Sequence, residues 1–212
     1  MPELEIIGVP QSNYVWCCRI ACAEKGVPHK LIEVRPFSPE AKATHPFGKI
    51  PALRHGDVTL YESKAICTYI DRNFDGPPLI PQSAYAGALC EQWISVVNTT
   101  IDPLLVRQYC FGYFFPGTPD RSPNRAVIDA ALPRMEAQFA LLEEGVSKTG
   151  FLVGDSFTLA DANLLPILFY LTKLPESRAM MDNSRHLNAY LNRHLERQSV
   201  KDTTPAWRRT YA

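Results

Sequence analysis

The chain of 212 residues carries 22 basic and 22 acidic side chains, so its formal net charge is zero, and 46% of its residues are hydrophobic. This length fits one large or two small domains, with enough apolar material for a core that needs no disulfide bonds. The balanced charge disfavours nucleic acid or an anionic membrane as a partner, and no apolar run reaches the ~20 residues of a membrane span.

Strand and helix patterns alternate over residues 1–75. Leu4–Gly8 is a short apolar run typical of a strand, and residues 13–25 have the apolar spacing of a helix that stops at Gly26. His29–Val34 has the pattern of a second strand. Two strands joined by a helix run parallel, so the chain is predicted to begin with a β-α-β unit.

A hairpin and a third helical pattern follow a polar stretch with three prolines. Residues 50–53 and Val58–Tyr61 flank His55-Gly56-Asp57, whose Gly-Asp pair is typical of a hairpin turn. A helix is predicted to begin at Ser63. The first domain is therefore predicted to be a small mixed sheet with helices on its faces.

Strand patterns nearly vanish after a proline-rich turn cluster at Asp75–Pro81. Pro133 interrupts one of the helical patterns that follow and should kink or divide that helix. The prediction is an α/β domain over 1–75, a linker over 76–84 and an all-helical domain over 85–212. The helical patterns cover Tyr85–Val106, Arg125–Glu144, the almost wholly apolar Leu159–Leu174, and a last segment around Leu187–Leu195.

Ser12 lies where the first strand turns into the first helix. A helix N-terminus presents unpaired N–H groups and the positive end of the helix dipole. A hydroxyl at that point can donate a hydrogen bond to an anion such as a thiolate. Serine is also a common helix cap, and this position alone favours the capping role.

Two further features surround the predicted hairpin. Ile50-Pro51 opens it, and an X-Pro bond is usually trans. Glu62-Ser63 stands at the start of the next helix, where Ser63 could cap the helix or bind a carboxylate together with the N–H groups. Glu62 could pair with an ammonium group. A ligand with both charges at one end resembles an amino acid, for example a γ-glutamyl group.

The stretch His45–Leu53 (HPFGKIPAL), followed by Leu60–Ile66 (LYESKAI), resembles the signature of the glutathione S-transferase family. The likeness is greatest to the serine-type, phi-like members of bacteria and plants. Gly150–Asp161 (GFLVGDSFTLAD) resembles the family's second signature. Within it, Thr158 and Asp161 have the spacing of a capping box that starts a buried helix, and we assign them a structural role.

The resemblance implies a thioredoxin-like N-terminal domain, a helical C-terminal domain and a homodimer. It implies a cis bond at Ile50–Pro51, with the Ile50 backbone pairing with the cysteinyl unit of glutathione. Glu62 and Ser63 would hold the γ-glutamyl end, and Ser12 would face the sulfur. The histidine that often holds the glycyl carboxylate in phi-like members is replaced here by Pro36-Phe37, so Lys49 is a candidate substitute.

The predicted activity is the conjugation of glutathione, as a co-substrate, to an apolar electrophile, with no metal or redox cofactor. The aromatic segment Tyr109–Phe115 is a candidate wall for the electrophile. Tyr14 is a rival to Ser12 as the activating hydroxyl. The alternatives are a glutathione-binding or protein-interaction module without useful turnover, or an isomerase or dehalogenase of the same fold. A thiol-disulfide reductase is disfavoured because Ser12 stands where it would need a cysteine.

Six cysteines have neither the CxxC pairs nor the histidine partners typical of a zinc site. Adjacent residues such as Cys17 and Cys18 do not normally form a disulfide. The acidic N-terminus lacks the layout of a secretory signal. We therefore expect a cytoplasmic detoxification enzyme with reduced, packed thiols.

Overall fold

The computed structural model describes residues 2–206. Its sheet contains β1 (Leu4–Ile7), β2 (His29–Ile32), β3 (Ala52–His55) and β4 (Val58–Tyr61), in the order β2-β1-β3-β4. β1 is parallel to β2 and antiparallel to β3, and β3 is antiparallel to β4. The predicted parallel β-α-β unit and the hairpin at Gly56 are both confirmed.

Within residues 2–206, three helices accompany this sheet and seven more follow it, with a wide π-type helical segment among them. The helices are α1 (Asn13–Glu24), α2 (Pro39–Thr44), α3 (Ser63–Asn73), α4 (Ala84–Val96), then the π-type segment Val97–Cys110, α5 (Phe111–Phe114), α6 (Arg125–Val146), α7 (Leu159–Leu171), α8 (Pro175–Asn183), α9 (Arg185–Leu195) and α10 (Gln198–Thr203).

The described chain forms two compact units, one of residues up to Gly87 together with Leu195–Ala206, the other of Ala88–His194. The first unit is larger than the predicted range 1–75. Asp71 on α3 accepts hydrogen bonds from the backbone N–H groups of Leu79 and Ile80, at 2.7 and 3.2 Å, so the predicted linker is fastened to the first unit.

The C-terminal helix α10 also belongs to the first unit, although the sequence predicts it within the helical domain. The indole of Trp16 on α1 donates to the hydroxyl of Thr203 at 3.0 Å, and Arg19 donates to the Thr203 carbonyl. Arg197 forms a bidentate ion pair with Glu24 at the other end of α1. These bonds explain why α10 packs with α1.

The second unit is built around α7, in which every residue is buried. Thr158 and Asp161 form the predicted capping box at its N-terminus. Asp161 also accepts from the Leu152 N–H and from the hydroxyl of Tyr190, both at 3.0 Å. One buried carboxylate therefore joins α7 to the preceding loop and to α9.

Two elements differ from the sequence-based prediction. α2 lies in the polar stretch with three prolines, to which the sequence assigns no helix or strand. Ser38 is its N-cap, and Pro39 stands at its first position, where proline is tolerated. The predicted helix over Tyr85–Val106 changes to the π-type form at Val97, six residues before Pro103. α6 continues undivided through Pro133, so of the predicted kink or division only the division is excluded. None of the helices in residues 2–206 is long and apolar enough to cross a membrane.

Candidate active site

The strand register brings the three candidate features to one edge of the sheet. Ile7, the last residue of β1, pairs with Ala52, the first of β3, and Ala52 pairs with Tyr61, the last of β4. Three chain segments therefore lie side by side at this edge. One runs from β1 to Ser12, one enters β3 through Pro51, and one runs from β4 to Glu62. A Cβ added to Gly8 would lie 3.1 Å from the Ile50 Cβ, so the chain entering α1 lies directly against the candidate peptide-binding residue.

Ser12 is the N-cap residue of α1, with φ −70° and ψ 125°. Its Oγ accepts a long hydrogen bond of 3.5 Å from the Val15 N–H. Because the oxygen accepts this bond, the hydroxyl can still donate its proton to a second partner. The capping role is present, and it is compatible with the predicted contact to a thiolate. Tyr14 is half-buried in the first turn of α1.

The Ile50–Pro51 peptide bond is cis, as the resemblance predicts. Pro51 is buried while Ile50 is partly accessible at the start of β3. Lys49 is exposed next to it, and its ammonium lies 6.0 Å from the centre of the Phe47 ring. The residue order therefore places an exposed cation beside the backbone that would pair with a peptide.

Glu62 and Ser63 form the entry to α3. Glu62 is the N-cap residue with φ 69°, an unusual conformation for a non-glycine residue, and its side chain makes no capping bond. Ser63 is buried and is the first helical residue rather than the cap. The Glu62 side chain thus leaves the first N–H groups of α3 uncapped, at a position suited to an anion. Backbone strain of this kind often occurs at binding sites.

His45 contacts the candidate residue Glu62, although no sequence pattern assigns it a role. It is only 3% exposed, and its Nε2 lies 3.7 Å from a carboxylate oxygen of Glu62. Its Nδ1 accepts from the Phe47 N–H at 3.1 Å, and its ring packs against Tyr61. No spacing in the sequence pairs His45 with Glu62, because the contact arises only when α2 ends beside the end of β4.

All six cysteines are reduced and buried, which confirms the prediction of packed thiols. Cys17 and Cys18 on α1 face Cys67 on α3, with sulfur–sulfur distances of 3.8 and 3.7 Å. Burial raises the pKa of the Cys18 and Cys22 thiols, so neither is a reactive thiolate. Among residues 2–206, no cluster of His, Cys, Asp and Glu has an arrangement suited to a metal ion.

The aromatic segment Tyr109–Phe115 divides between core and surface in the second unit. Tyr109 and Tyr113 are buried and donate their hydroxyls to Glu176, at 2.9 and 2.6 Å. Phe115, in contrast, is 70% exposed. Burial alone would raise the pKa of Glu176, but the bonds from Tyr113 and Arg125 outweigh it and lower that pKa to about 2.

Two family models match the chain. The N-terminal domain of glutathione S-transferase matches residues 6–78, and the C-terminal domain of the same family matches residues 106–198. Glutathione S-transferase 3 of Zea mays is 34% identical over 185 residues, which cover 79% of each chain.

Solved structures agree with this likeness. Glutathione transferase F7 from Populus trichocarpa superimposes with a TM-score of 0.85 at 28% identity, covering 94% of this chain and 97% of that one. The theta-class enzyme of the citrus canker pathogen Xanthomonas axonopodis pv. citri, solved with glutathione bound, gives a TM-score of 0.82 at 26% identity, covering 98% and 99%. The predicted fold and phi-like resemblance are confirmed, and the chain belongs to the glutathione S-transferase family.

Proposed function

We propose that this glutathione transferase binds glutathione along the sheet edge formed by the ends of β1 and β4 and the start of β3. One observation carries the proposal: the hydroxyl of Ser12, the cis Ile50–Pro51 unit and the open N-terminus of α3 all meet at that edge. Such a surface offers a donor, an extended backbone and an anion site in a row. These are the groups that a tripeptide thiol with two terminal carboxylates requires.

Each candidate residue has a distinct role in this proposal. The backbone of Ile50, before Pro51, pairs with the cysteinyl unit in the manner of an added strand. Ser63 and the first N–H groups of α3 bind the γ-glutamyl carboxylate, and Glu62 binds the adjacent ammonium. Lys49 attracts the glycyl carboxylate as a point charge on a flexible stem.

Ser12 activates the thiol. A free thiol with a pKa near 8.5 is only about 3% thiolate at pH 7. A hydrogen bond from the Ser12 hydroxyl and the positive end of the α1 dipole both favour the charged form, so they lower that pKa. The thiolate then attacks an electrophilic carbon of an apolar co-substrate, forming the S–C bond as the leaving group departs or a ring opens. Holding the two reactants together supplies the remaining acceleration.

The working enzyme in this proposal is a cytoplasmic homodimer that detoxifies apolar electrophiles. Phe47 supports the dimer, because this aromatic side chain is 71% exposed in the loop before Ile50. The balanced charge of the chain is consistent with small-molecule substrates rather than nucleic acid.

Retention on immobilised glutathione, followed by turnover assays with aryl halides, epoxides, isothiocyanates and peroxides, tests the function. We expect elution by free glutathione and conjugation of at least one electrophile class. Retention with no turnover in any class would support the binding module instead, and no retention would contradict the proposed site.

A further inference from the structure

The buried imidazole of His45 links the two halves of the proposed glutathione site. Its Nδ1 accepts the Phe47 N–H at 3.1 Å, and its carbonyl accepts the Gly48 N–H at 2.8 Å, so it is bound to the loop that leads to Ile50. Its Nε2 faces the Glu62 carboxylate at 3.7 Å, on the other side of the site.

The hydrogen bonds define which ring nitrogen carries the proton. A backbone N–H can only donate, so Nδ1 of His45 must be an acceptor and the proton of the neutral ring lies on Nε2. Nε2 lies 3.7 Å from one oxygen of Glu62, a distance that a small rotation of the exposed Glu62 side chain would shorten to a hydrogen bond. The ring cannot turn away easily, because it is only 3% exposed and packs against Tyr61 at a centroid distance of 4.9 Å.

Glu62 needs such a partner, because its own surroundings restrain it little. Its side chain is 65% exposed and makes no capping bond to α3. A flexible, solvated carboxylate loses side-chain entropy when it binds a ligand, and a pre-oriented one loses less. A donor held 3.7 Å from one carboxylate oxygen favours a side-chain orientation that leaves the other oxygen for an incoming ammonium.

We infer that His45 is a positioning residue, which orients Glu62 for the ammonium of the γ-glutamyl group. The inference rests on the proposed function and adds a residue to it. His45 itself need not contact the ligand. Its contribution should therefore appear only with a ligand that carries this ammonium, whereas a purely structural role would affect every ligand at the site.

Binding calorimetry with two ligands separates these roles. The first ligand is glutathione, and the second is glutaryl-cysteinyl-glycine, in which hydrogen replaces the α-amino group. His45→Asn retains an acceptor near Nδ1 for the Phe47 N–H and removes the donor that faces Glu62. We expect it to weaken glutathione binding about three- to tenfold while the affinity for the deaminated ligand stays within about twofold.

Two variants complete the experiment. His45→Gln restores an N–H at the depth of Nε2, so it should recover most of the lost affinity. In a Glu62→Gln background, His45→Asn should have no further effect, because the carboxylate through which it acts is gone. His186→Asn is the matched control, since His186 pairs with Glu143 in the other unit.

The inference would be overturned if His45→Asn weakened both ligands equally, weakened neither, or remained additive with Glu62→Gln. If the wild-type chain binds glutathione, each of these outcomes leaves the proposed function intact. A wild-type chain that binds neither ligand would overturn the proposed function and this inference together.

Discussion

The thiol of Cys18 donates to the backbone carbonyl of Ser63, with the sulfur 3.8 Å from the oxygen. This contact joins α1 to α3 directly behind the proposed site, because Ser12 caps one helix and Ser63 begins the other. The spacing between the two serine-bearing helix ends therefore depends on small buried thiols, which pack closely without adding charge.

Ser63→Ala should weaken glutathione binding about tenfold or more. The hydroxyl is expected to donate a charge-assisted hydrogen bond to the γ-glutamyl carboxylate, worth roughly 1.5–3 kcal/mol. Calorimetry measures the change. The matched control is Ser199→Ala, which removes another buried hydroxyl of the same unit, one that bonds Glu24 rather than a ligand. Equal affinities for wild type and Ser63→Ala would exclude the assignment.

Ser12→Ala should raise the pKa of bound glutathione towards its solution value. Losing one donor to the thiolate should cost up to about 3 kcal/mol in the chemical step, roughly a hundredfold in rate. Binding should change little, because other residues hold the peptide. Thiolate absorbance in the ultraviolet, followed against pH with glutathione bound, measures the effect.

Two control variants separate activation from capping. Ser38 caps α2 through the Ala41 N–H at 3.2 Å, so Ser38→Ala loses a comparable cap without touching the proposed thiol site. Tyr14→Phe tests the rival hydroxyl. A thiolate pKa that moves with Tyr14→Phe and not with Ser12→Ala would identify Tyr14 as the activating residue.

Phe47→Ala should weaken the proposed dimer. Burying this exposed ring against a second copy would contribute roughly 1.5–3 kcal/mol per site. Light scattering across a dilution series measures the dissociation, with Phe115→Ala as the control, since Phe115 is equally exposed but lies in the helical unit. A wild-type mass near 23.8 kDa at micromolar concentration would refute the dimer.

Asp161→Ala should lower the free energy of unfolding by about 3–4 kcal/mol, more than the loss of an ordinary helix cap. The structure shows why: the buried carboxylate accepts from Leu152, from Thr158 and from Tyr190, and the variant leaves these donors unpaired. Chemical denaturation measures the loss. Asp182→Ala, on the surface of α8, should stay within about 0.5 kcal/mol.

Glu176 should make the free energy of unfolding depend on pH in the acid range. Its pKa is lowered from an ordinary 4.5 to about 2, so its contribution is complete above about pH 4.5 and is lost as the pH falls towards 2. Glu176→Gln should reduce the free energy of unfolding at pH 7 by about 1–2 kcal/mol, after allowance for solvent screening. It should also make that free energy depend less on pH between about 4.5 and 2. Unfolding curves between pH 2 and 7 test it, with Glu136→Gln at an exposed position of α6 as the control. If Glu176→Gln loses as much stability as the wild type between about pH 4.5 and 2, Glu176 is not the source of the acid dependence.

Local sequence patterns predict the sheet and the N-terminal part of the candidate site well. Alternating strand patterns, the Gly-Asp turn and the helix stop at Gly26 are each encoded in a few adjacent residues, and neighbouring segments pair most often. The capping box at Thr158 and Asp161 is equally local. The cis bond at Ile50–Pro51 could not be derived this way, because it depends on the packing around it and was expected only from the family resemblance.

Long-range contacts account for what the sequence does not reveal. His45 approaches Glu62 only because two loops end at the same sheet edge, and no spacing rule joins residues in different loops. The left-handed backbone of Glu62 is similarly a product of its surroundings, since glutamate has no preference for it. The attachment of α10 to α1 joins residues separated by most of the chain, so no local pattern could reveal it.

That attachment also has a consequence during protein synthesis. Trp16 and Thr203 are 187 residues apart, so at roughly 5–20 residues per second the ribosome adds the partner of Trp16 about 10–40 s later. Throughout that interval the indole N–H of the nascent chain lacks its Thr203 acceptor. The helix that carries Ser12 is therefore among the first made and among the last to complete its contacts, and nascent chains stalled before Thr203 should be unusually open to proteases along α1.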